Sequence, residues 1–480
     1  MIQEVPIQGK YNKAIAFVDK LEKDSYNQIY EMMSSKGYDG EEEARIMPDV
    51  HPGKGGVIGF TMPIPTNPLK IVVSNIGVDI GCGILALKLG NYEEYNWQEL
   101  DKKIRNRVPM GFEKHDRGVY HMKNDFPYDK ADNYLENMRN ALDRPIMPEN
   151  FDRLKGYSIE YFNQLCERAE YSKTTAINSV GTMGGGNHFI ELCQTQFNNK
   201  QDELWAVIHS GSRGLGHSTA RYWMQRATNI RNVDKVIEQI PSEYERYLEF
   251  DFDDDPKEIF EWVTGGKGES YKKTKLIKSD WEDKHPQKIQ QIHDELKVTV
   301  DKGINDRAYL EGDETDGYIG DMIFLQIYAQ ENRRMMAEAV ADAAGRPIED
   351  TIDCAHNYID FEDRMIRKGS ISAREGERGL IPYNPGQGTE IVRGLGNDDW
   401  NQSAPHGAGR VMSRTDAKDL ISMEEYEDQM DDVYSTAISL DTIDEAPGAY
   451  KDPELIMQVF DETVQRIKRL HPIINWKATS

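Results

Sequence analysis

The chain has 480 residues, of which 58 are lysine or arginine and 83 are aspartate or glutamate, so its formal net charge is −25 at pH 7. Hydrophobic residues make up 38% of the chain, which excludes a largely disordered protein and allows a sizeable core. Because a strongly negative field repels polyanions at long range, the composition argues against a protein that coats nucleic acid indiscriminately. A nucleic-acid partner would need a local site.

The cysteine content and the absence of targeting segments predict a soluble, cytoplasmic protein that has no membrane partner. Four cysteines, at positions 82, 166, 193 and 354, do not form the pattern of a disulfide framework. The first residues lack the basic and apolar stretches of a signal peptide. The most apolar segment, 71–90, contains Asn75, Asp79 and Lys88, which is incompatible with a membrane span.

Short β-branched runs and longer segments with few helix breakers alternate along the chain. The β-branched runs predict strands at 71–74, 188–193, 204–209 and 351–355. The longer segments predict helices at 318–338, 423–437 and 453–470. This mixture predicts an α+β fold in which the loops carry the polar chemistry.

Residues 228–303 differ in composition from the rest of the chain, because they are polar, highly charged and mostly without glycine. They predict an inserted, mostly helical arm with a solvated acidic face, within a single large domain that spans residues 1–480. The segment 249–258 carries six acidic residues, and a calcium-binding loop is the alternative interpretation. The ligand spacing and the glycine of an EF-hand are missing there.

Four segments, 78–83, 184–189, 209–214 and 353–357, place metal-competent side chains at strand ends beside glycine or asparagine. A bridging thiolate would allow one set of five residues to hold two ions. That set is Asp79, Cys82, His188, His209 and His356. Each residue alone has an ordinary interpretation, as a small buried cysteine or a hydrogen-bonded histidine, and the ligands are too dispersed for their spacing to decide.

A fifth segment, 403–410, places His406 between a proline and a Gly-Ala-Gly run, where the backbone can approach a ligand closely. Arg410 could bind a phosphate, and His406 could be a base, a metal ligand or a nucleophile. The alternative is a loop histidine that caps a helix. Strand alternation also places Phe189 and Glu191 on one face, which suits a stacked and hydrogen-bonded guanine. Otherwise Phe189 would lie in the core and Glu191 would be exposed.

Together and in this order, these segments resemble the RtcB family of RNA-splicing ligases. Further matching segments are 47–51, 367–369, 391–394, 406–414, 444–451 and Lys477. The resemblance implies a GTP-dependent RNA ligase that joins 3′-phosphate or 2′,3′-cyclic phosphate ends to 5′-hydroxyl ends, in tRNA splicing or RNA repair. It also implies a domain of stacked β-sheets flanked by helices.

The resemblance implies two Mn²⁺ ions that share the Cys82 thiolate. One ion would be held by Cys82, His209 and His356, and the other by Asp79, Cys82 and His188. Ligand chemistry alone would favour zinc over manganese at such a site, so manganese rests on the resemblance and zinc is expected to act as an inhibitor or contaminant.

The resemblance also assigns roles in nucleotide and RNA binding. His406 would attack the α-phosphate of GTP and form a guanylyl-histidine. Phe189 and Tyr450 would sandwich guanine, and Glu191 and Lys477 would read its edge. The full GTP/GMP-binding set would be Asn187, Phe189, Glu191, Asn357, Gly407, Ala408, Gly409, Arg410, Tyr450 and Lys477.

RNA phosphates would be bound by Arg213, Arg367 and Lys368, with a basic cleft over residues 364–378. The activator archease is a candidate partner. Two other functions stay open at this point. A dinuclear metallophosphoesterase needs the five metal ligands but not His406, Glu191 or Lys477, and a catalytically silent relative would need none of them.

Overall fold

The computed structural model describes residues 3–148, 156–195, 202–237 and 305–479. Most of the predicted acidic arm, from residue 238 to 303, lies outside the described residues, and the segment 228–237 is the end of a helix. The described strands are β1 (Gln3–Gln8), β2 (Lys13–Val18), β3 (Ala44–His51), β4 (Ile58–Pro63), β5 (Lys70–Val72), β6 (Gly83–Asn91), β7 (Phe189–Gln194), β8 (Glu203–Ser210), β9 (Tyr309–Glu311), β10 (Asp350–Ala355), β11 (Asn357–Asp360), β12 (Met365–Lys368), β13 (Ser370–Ser372), β14 (Arg378–Asn384), β15 (Gly388–Gly394), β16 (Ser403–Pro405) and β17 (Val464–Trp476).

The described α-helices are α1 (Lys23–Met33), α2 (Trp97–Arg107), α3 (Met122–Asp125), α4 (Tyr128–Leu142), α5 (Ile159–Arg168), α6 (Lys173–Ser179), α7 (Arg213–Ile237), α8 (Glu314–Ala344), α9 (Arg414–Leu420), α10 (Met423–Gln429) and α11 (Pro453–Phe460). Helices and sheets thus occur together along the chain, which confirms the predicted α+β class. Among the described helices, none has the length and apolar character needed to cross a membrane.

The strands form two large sheets and two small ones. A six-stranded sheet has the order β1-β2-β3-β4-β12-β11, and a seven-stranded sheet has the order β10-β6-β8-β7-β17-β15-β14. Two-stranded sheets pair β13 with β16 and β5 with β9. Apart from the parallel β2–β3 pair, the described strand pairs in the named sheets are antiparallel.

The seven-stranded sheet is buried on both faces, and alternate side chains enter different cores. On β7, Ile190 and Leu192 pack into a core shared with α2 and the second half of α8. Cys193, and Phe189 at its margin, pack instead into a core shared with β13, β16 and α11. One face of the sheet is therefore covered by helices, and the other faces the elements that carry the loop after β16.

The 31-residue helix α8 contributes to two of the hydrophobic cores. Its first half packs with the helices on the six-stranded sheet, and its second half packs on the seven-stranded sheet. The helix ends at Gly345, whose left-handed φ of 66° allows the next N–H, from Arg346, to bond to the Ala341 carbonyl. This buried helix reaches the ends of several strands at once.

The structure confirms the predicted strands at 188–193, 204–209 and 351–355 to within one residue at each end, and places the helix 318–338 inside α8. Two helices were predicted too long. The helix beginning at 423 ends at Gln429, and the one beginning at 453 ends at Phe460 and is followed by β17. β17 lies between β15 and β7, so hydrogen bonds to two neighbouring strands outweigh the local sequence pattern that predicted a helix. The strand predicted at 71–74 occurs one residue earlier and ends at Val72.

Candidate metal and nucleotide site

Four of the five predicted metal ligands meet at one edge of the seven-stranded sheet. Cys82 and His188 directly precede β6 and β7, His209 is the penultimate residue of β8, and His356 directly follows β10. Because these neighbouring strands are antiparallel, the beginnings of β6 and β7 lie beside the ends of β8 and β10. The topology therefore brings together residues that are far apart in the sequence.

The ligand atoms of these four residues and of Asp79 form two overlapping groups. Cys82, His209 and His356 make one group, and Asp79, Cys82 and His188 make the other, each with its donor atoms within 4.8 Å of one another. The Cys82 Sγ lies 3.3 Å from the His209 Nε2 and 3.5 Å from the His188 Nε2. The His209 and His356 Nε2 atoms are 3.0 Å apart, and the His188 Nε2 is 2.8 Å from the Asp79 Oδ2.

Backbone carbonyls fix the orientation of two of the imidazoles. The His188 Nδ1 donates to the Met183 carbonyl at 2.9 Å, and the His209 Nδ1 donates to the Asn187 carbonyl at 3.1 Å. Each bond leaves the Nε2 lone pair directed at the cluster, which is the arrangement that supports a metal-binding histidine.

The electrostatics of the cluster suit a pair of cations. Burial lowers the pKa of His356 to about 3 and holds the pKa of His209 well below its usual value, so both imidazoles are neutral ligands. Burial and the neighbouring Asp79 raise the pKa of the Cys82 thiol well above its usual value. A cation that binds the thiolate would offset the unfavourable free energy of burying its negative charge. Because Cys82 belongs to both groups, its thiolate can bind two ions. The residues present thus fit a dinuclear site.

Two side chains of α8 tie the ligand-bearing segments together. The fully buried Arg333 pairs with both carboxylate oxygens of Asp353, at 2.8 and 3.1 Å, and donates to the carbonyls of Gly81 and Ser210. Its neighbour Asn332 donates to the Ser210 Oγ and the Gly211 carbonyl. Arg333 therefore connects the segments that carry Cys82, His209 and His356.

His406 lies beside the cluster and is oriented by a buried carboxylate. Its ring is 5.0 Å from that of His356, centroid to centroid. The Nδ1 is 2.8 Å from the Oδ2 of Asp49, a completely buried residue of β3. A proton on Nδ1 that is donated to Asp49 leaves the Nε2 lone pair available as a base or nucleophile. The small β13–β16 sheet positions His406, which directly follows β16.

A cavity extends from His209, His356 and His406, and nine of the ten predicted nucleotide-binding residues line it. These are Asn187, Phe189, Glu191, Gly407, Ala408, Gly409, Arg410, Tyr450 and Lys477. Asn357 is not among the lining residues, and its Oδ1 accepts a hydrogen bond from the Gly369 N–H. The backbone at Gly409 has a φ of 70°, and a Cβ there would lie 2.9 Å from the Asp49 carbonyl oxygen. Glycine thus permits the loop to pass close to β3.

Glu191 is buried at the cavity wall rather than exposed. It accepts a hydrogen bond from the Asn475 Nδ2 at 2.8 Å, and burial raises its pKa to about 8. Lys477 does not pair with Glu191 in this structure. Its Nζ is 3.1 Å from the Glu445 Oε2, which also accepts from the Tyr450 hydroxyl. A polar network therefore borders the cavity near Phe189.

The three predicted RNA-phosphate ligands occupy very different positions. Arg367 is fully buried and bonds to Asp360 and Ser403, and the buried Lys368 donates to three backbone carbonyls. Both side chains are thus buried and engaged inside the protein, and the basic cleft over 364–378 stays a prediction that their positions do not support. The other arginines of that segment are likewise paired with acidic residues. Arg213 lines a second cavity beside the cluster.

Sequence reasoning missed the side chains that orient the predicted ones. Asp49, Arg333, Glu445 and Asn475 were given no role, although the segments around Asp49 and Glu445 were among those that carried the resemblance. Asp49 and His406 are 357 residues apart in the sequence, so no local pattern could pair them. The acidic residue between the apolar residues of β3 was the available signal, because a buried carboxylate needs a partner.

Comparison with known proteins identifies the family of the chain. The sequence profile of a family described as "tRNA-splicing ligase RtcB" matches residues 29–252 and 270–478. The chain therefore belongs to the RtcB family, as predicted. The match extends into the predicted arm from both sides and is interrupted over 253–269.

Individual relatives extend over most of the chain. It is 30% identical over 457 residues to the RNA-splicing ligase RtcB of Escherichia coli K12, covering 89% of this chain and 88% of that protein. It is 25% identical over 448 residues to the tRNA-splicing ligase RtcB of Aeropyrum pernix, covering 86% and 83%. The corresponding protein of Thermococcus kodakarensis is 23% identical over 457 residues, covering 89% and 86%.

Proposed function

We propose that the chain is a GTP- and Mn²⁺-dependent RNA ligase. It joins RNA 3′-phosphate or 2′,3′-cyclic phosphate ends to 5′-hydroxyl ends through a guanylyl-histidine on His406. The observation that carries this proposal is the hydrogen bond between His406 and the buried Asp49, beside the cysteine–histidine cluster and at the wall of the cavity. A site that only hydrolysed phosphate esters would not need this oriented histidine.

The metal-binding roles follow the two groups of donor atoms. Cys82, His209 and His356 would hold one ion, and Asp79, Cys82 and His188 the other. When bound, the ions would neutralise negative charge on the phosphoryl oxygens and help to orient the leaving group. The chain itself supplies neutral imidazoles and a thiol that is shielded from water.

His406 performs the first covalent step. Its Nε2 attacks the α-phosphorus of GTP, a nitrogen–phosphorus bond forms, and the bond to the bridging oxygen breaks to release pyrophosphate. Asp49 accepts the Nδ1–H throughout, so it holds the ring in one tautomer and stabilises the positive charge that develops on the imidazole. The Gly407–Gly409 backbone lines the same wall and leaves space for the phosphates.

Guanine selection rests on the other end of the cavity. Phe189 and Tyr450 provide aromatic surfaces, and Glu191 provides a carboxylate that can accept from the N1–H and N2–H donors of guanine. Lys477 could donate to O6 from its position beside Glu445. Arg410, whose guanidinium lies 5.0 Å from the centre of the Tyr450 ring, would contact the ribose and phosphates.

The guanylate then passes to RNA. An oxygen of the RNA 3′-phosphate attacks the phosphorus on His406, which breaks the nitrogen–phosphorus bond and restores the imidazole. The 5′-hydroxyl of the second RNA attacks the activated 3′-phosphate, a phosphodiester forms, and GMP leaves. A cyclic phosphate end is first opened by water to a 3′-phosphate.

The proposal is tested with two short RNAs, one ending in a 3′-phosphate and one beginning with a 5′-hydroxyl. Purified protein with GTP and Mn²⁺ should seal them, and His406→Ala should not. His217→Ala is the matched control, because His217 is exposed on α7 and belongs neither to the two groups of metal ligands nor to the lining of the nucleotide cavity. Replacement of Mn²⁺ by Zn²⁺ should inhibit. Hydrolysis of phosphate ends without sealing would instead identify a metallophosphoesterase.

We also propose that residues 1–480 form one ligase domain, with 228–303 as an arm inserted in it. The arm and the activator archease are candidates for regulation of the proposed reaction. Sealing that begins only after archease is added would support a requirement for the activator.

A further inference from the structure

The second cavity beside the metal-ligand cluster has an exposed aromatic side chain at its margin. Phe112 is 90% exposed, the largest fraction among the described large hydrophobic residues. It lines a cavity of about 630 Å³ together with Lys114, Arg213 and the Gly185–Gly186 backbone. The mechanism above gives no role to Phe112 or to this cavity.

The backbone that presents Phe112 is held in place. The Gly111 N–H donates to the Gly184 carbonyl at 2.8 Å, and the Met183 N–H donates to the Pro109 carbonyl. Arg213 donates from Nη2 to the Gly111 carbonyl at 3.0 Å. The loop is therefore fixed to the segment that leads to His188, whereas the phenyl ring itself points away from the core.

The surroundings of Phe112 suit a polyanion that enters near the cluster. Among the described residues, neither Lys114 nor Arg213 forms an ion pair, whereas Arg414 and Lys418, which also line the cavity, are close to Asp444. A Cβ at Gly184 would meet both the Arg213 Nη1 and the His188 Nδ1, so the guanidinium lies beside the metal-ligand cluster. The cavity also shares Arg414 and Glu445 with the nucleotide cavity.

We propose that Phe112 is a stacking platform for a nucleobase of the RNA end, and that Lys114 and Arg213 contact the adjoining phosphates. Single-stranded nucleic acid is commonly bound by an exposed aromatic ring between cationic side chains, because every base offers a face for stacking. A fixed backbone reduces the entropy lost on binding. The inference rests on the proposed function, since it names where that reaction's RNA substrate lies.

The test measures RNA affinity by fluorescence anisotropy, with one oligonucleotide that ends in a 3′-phosphate and another that begins with a 5′-hydroxyl. Each carries 2-aminopurine at the terminal position, whose fluorescence is quenched by stacking. Phe112→Ala and Phe112→Leu should each weaken binding of one of the two oligonucleotides about tenfold and abolish the quenching. Phe112→Tyr should retain both. The oligonucleotide that is affected identifies the RNA end that stacks.

Tyr30→Ala is the matched control, because Tyr30 is an exposed aromatic residue on α1 that does not line this cavity. It should bind both RNAs as the wild type does. Wild-type affinity of Phe112→Ala for both RNAs would overturn the proposal. Wild-type affinity of Phe112→Leu for both RNAs would also overturn it. Leucine keeps an apolar surface but cannot stack on a base, so the side chain would then act only as an apolar contact, of the kind that a protein partner makes. Binding needs no GTP, so a wild type that stacks RNA but never seals it, with or without archease, refutes the proposed function and leaves this inference standing.

Discussion

Replacement of Glu191 by glutamine should stabilise the protein without nucleotide at neutral pH, although it removes the carboxylate proposed to bind guanine. Burial raises the pKa of Glu191 from 4.5 to about 8, against the opposing effects of Asn475 and Lys477. The folded state keeps this proton up to about pH 8, whereas the unfolded chain loses it near 4.5. Between these values unfolding releases a proton, so the stability of the wild type falls as the pH rises.

The magnitude follows from the same shift. Each pH unit above 4.5 costs the folded wild type about 1.4 kcal/mol, which gives about 3 kcal/mol at pH 7 and less than about 1 kcal/mol at pH 5. The substituted glutamine keeps an oxygen to accept from Asn475 but buries an amide N–H₂, at a cost of about 1 kcal/mol. The free energy of unfolding of Glu191→Gln should therefore exceed that of the wild type by about 2 kcal/mol at pH 7 and equal it at pH 5.

The assay is urea denaturation of both proteins at pH 5 and pH 7. Glu390→Gln is the matched control, because Glu390 is equally buried but pairs with Arg466 and Arg469. That variant should be destabilised at pH 7, since two guanidinium groups lose their partner. A Glu191→Gln variant that is less stable than the wild type at pH 7, or a difference that does not change with pH, would refute the reasoning.

Three further substitutions test the framework around the cluster. Arg333→Met should lower the free energy of unfolding by about 3 kcal/mol in urea denaturation, because a buried ion pair and two hydrogen bonds to carbonyls are lost. It should also weaken Mn²⁺ binding at least tenfold in calorimetry, and an unchanged Mn²⁺ affinity would contradict the positioning role of Arg333. Asp49→Ala should slow GTP-dependent labelling of His406 on the order of 100-fold in a time course, and a normal rate would exclude tautomer control. Gly211→Ala should weaken Mn²⁺ binding, because a Cβ would overlap the Asp79 carboxylate, and calorimetry that shows wild-type stoichiometry and affinity would contradict this.

The sequence supported the prediction of the ligand segments because each combines a β-branched run with a glycine-rich loop. It could not show that Cys82, His188, His209 and His356 meet, since that depends on the antiparallel order β10-β6-β8-β7. The family resemblance supplied this information indirectly, and the geometry now makes the metal assignments testable.

The failures have physical causes as well. The sequence shows that Arg367 and Lys368 are basic, but it does not show their partners inside the protein. Arg367 forms an ion pair with Asp360, and Lys368 donates to backbone carbonyls. The helix predicted over 453–470 ends at Phe460 in the structure. The following residues form β17, because pairing with β15 and β7 stabilises a strand and such tertiary contacts cannot be read from the local sequence. Asp49 was overlooked since its partner His406 comes from a distant loop.

The most direct test of the central claim is to trap the covalent intermediate. The protein is incubated with α-³²P-labelled GTP and Mn²⁺ in the absence of RNA, denatured, and digested for peptide mapping. The expected result is a label on His406 that is lost in acid, survives alkali, and is absent from His406→Ala. A wild type that seals RNA with no label on His406, or with an equally labelled His406→Ala variant, would contradict it.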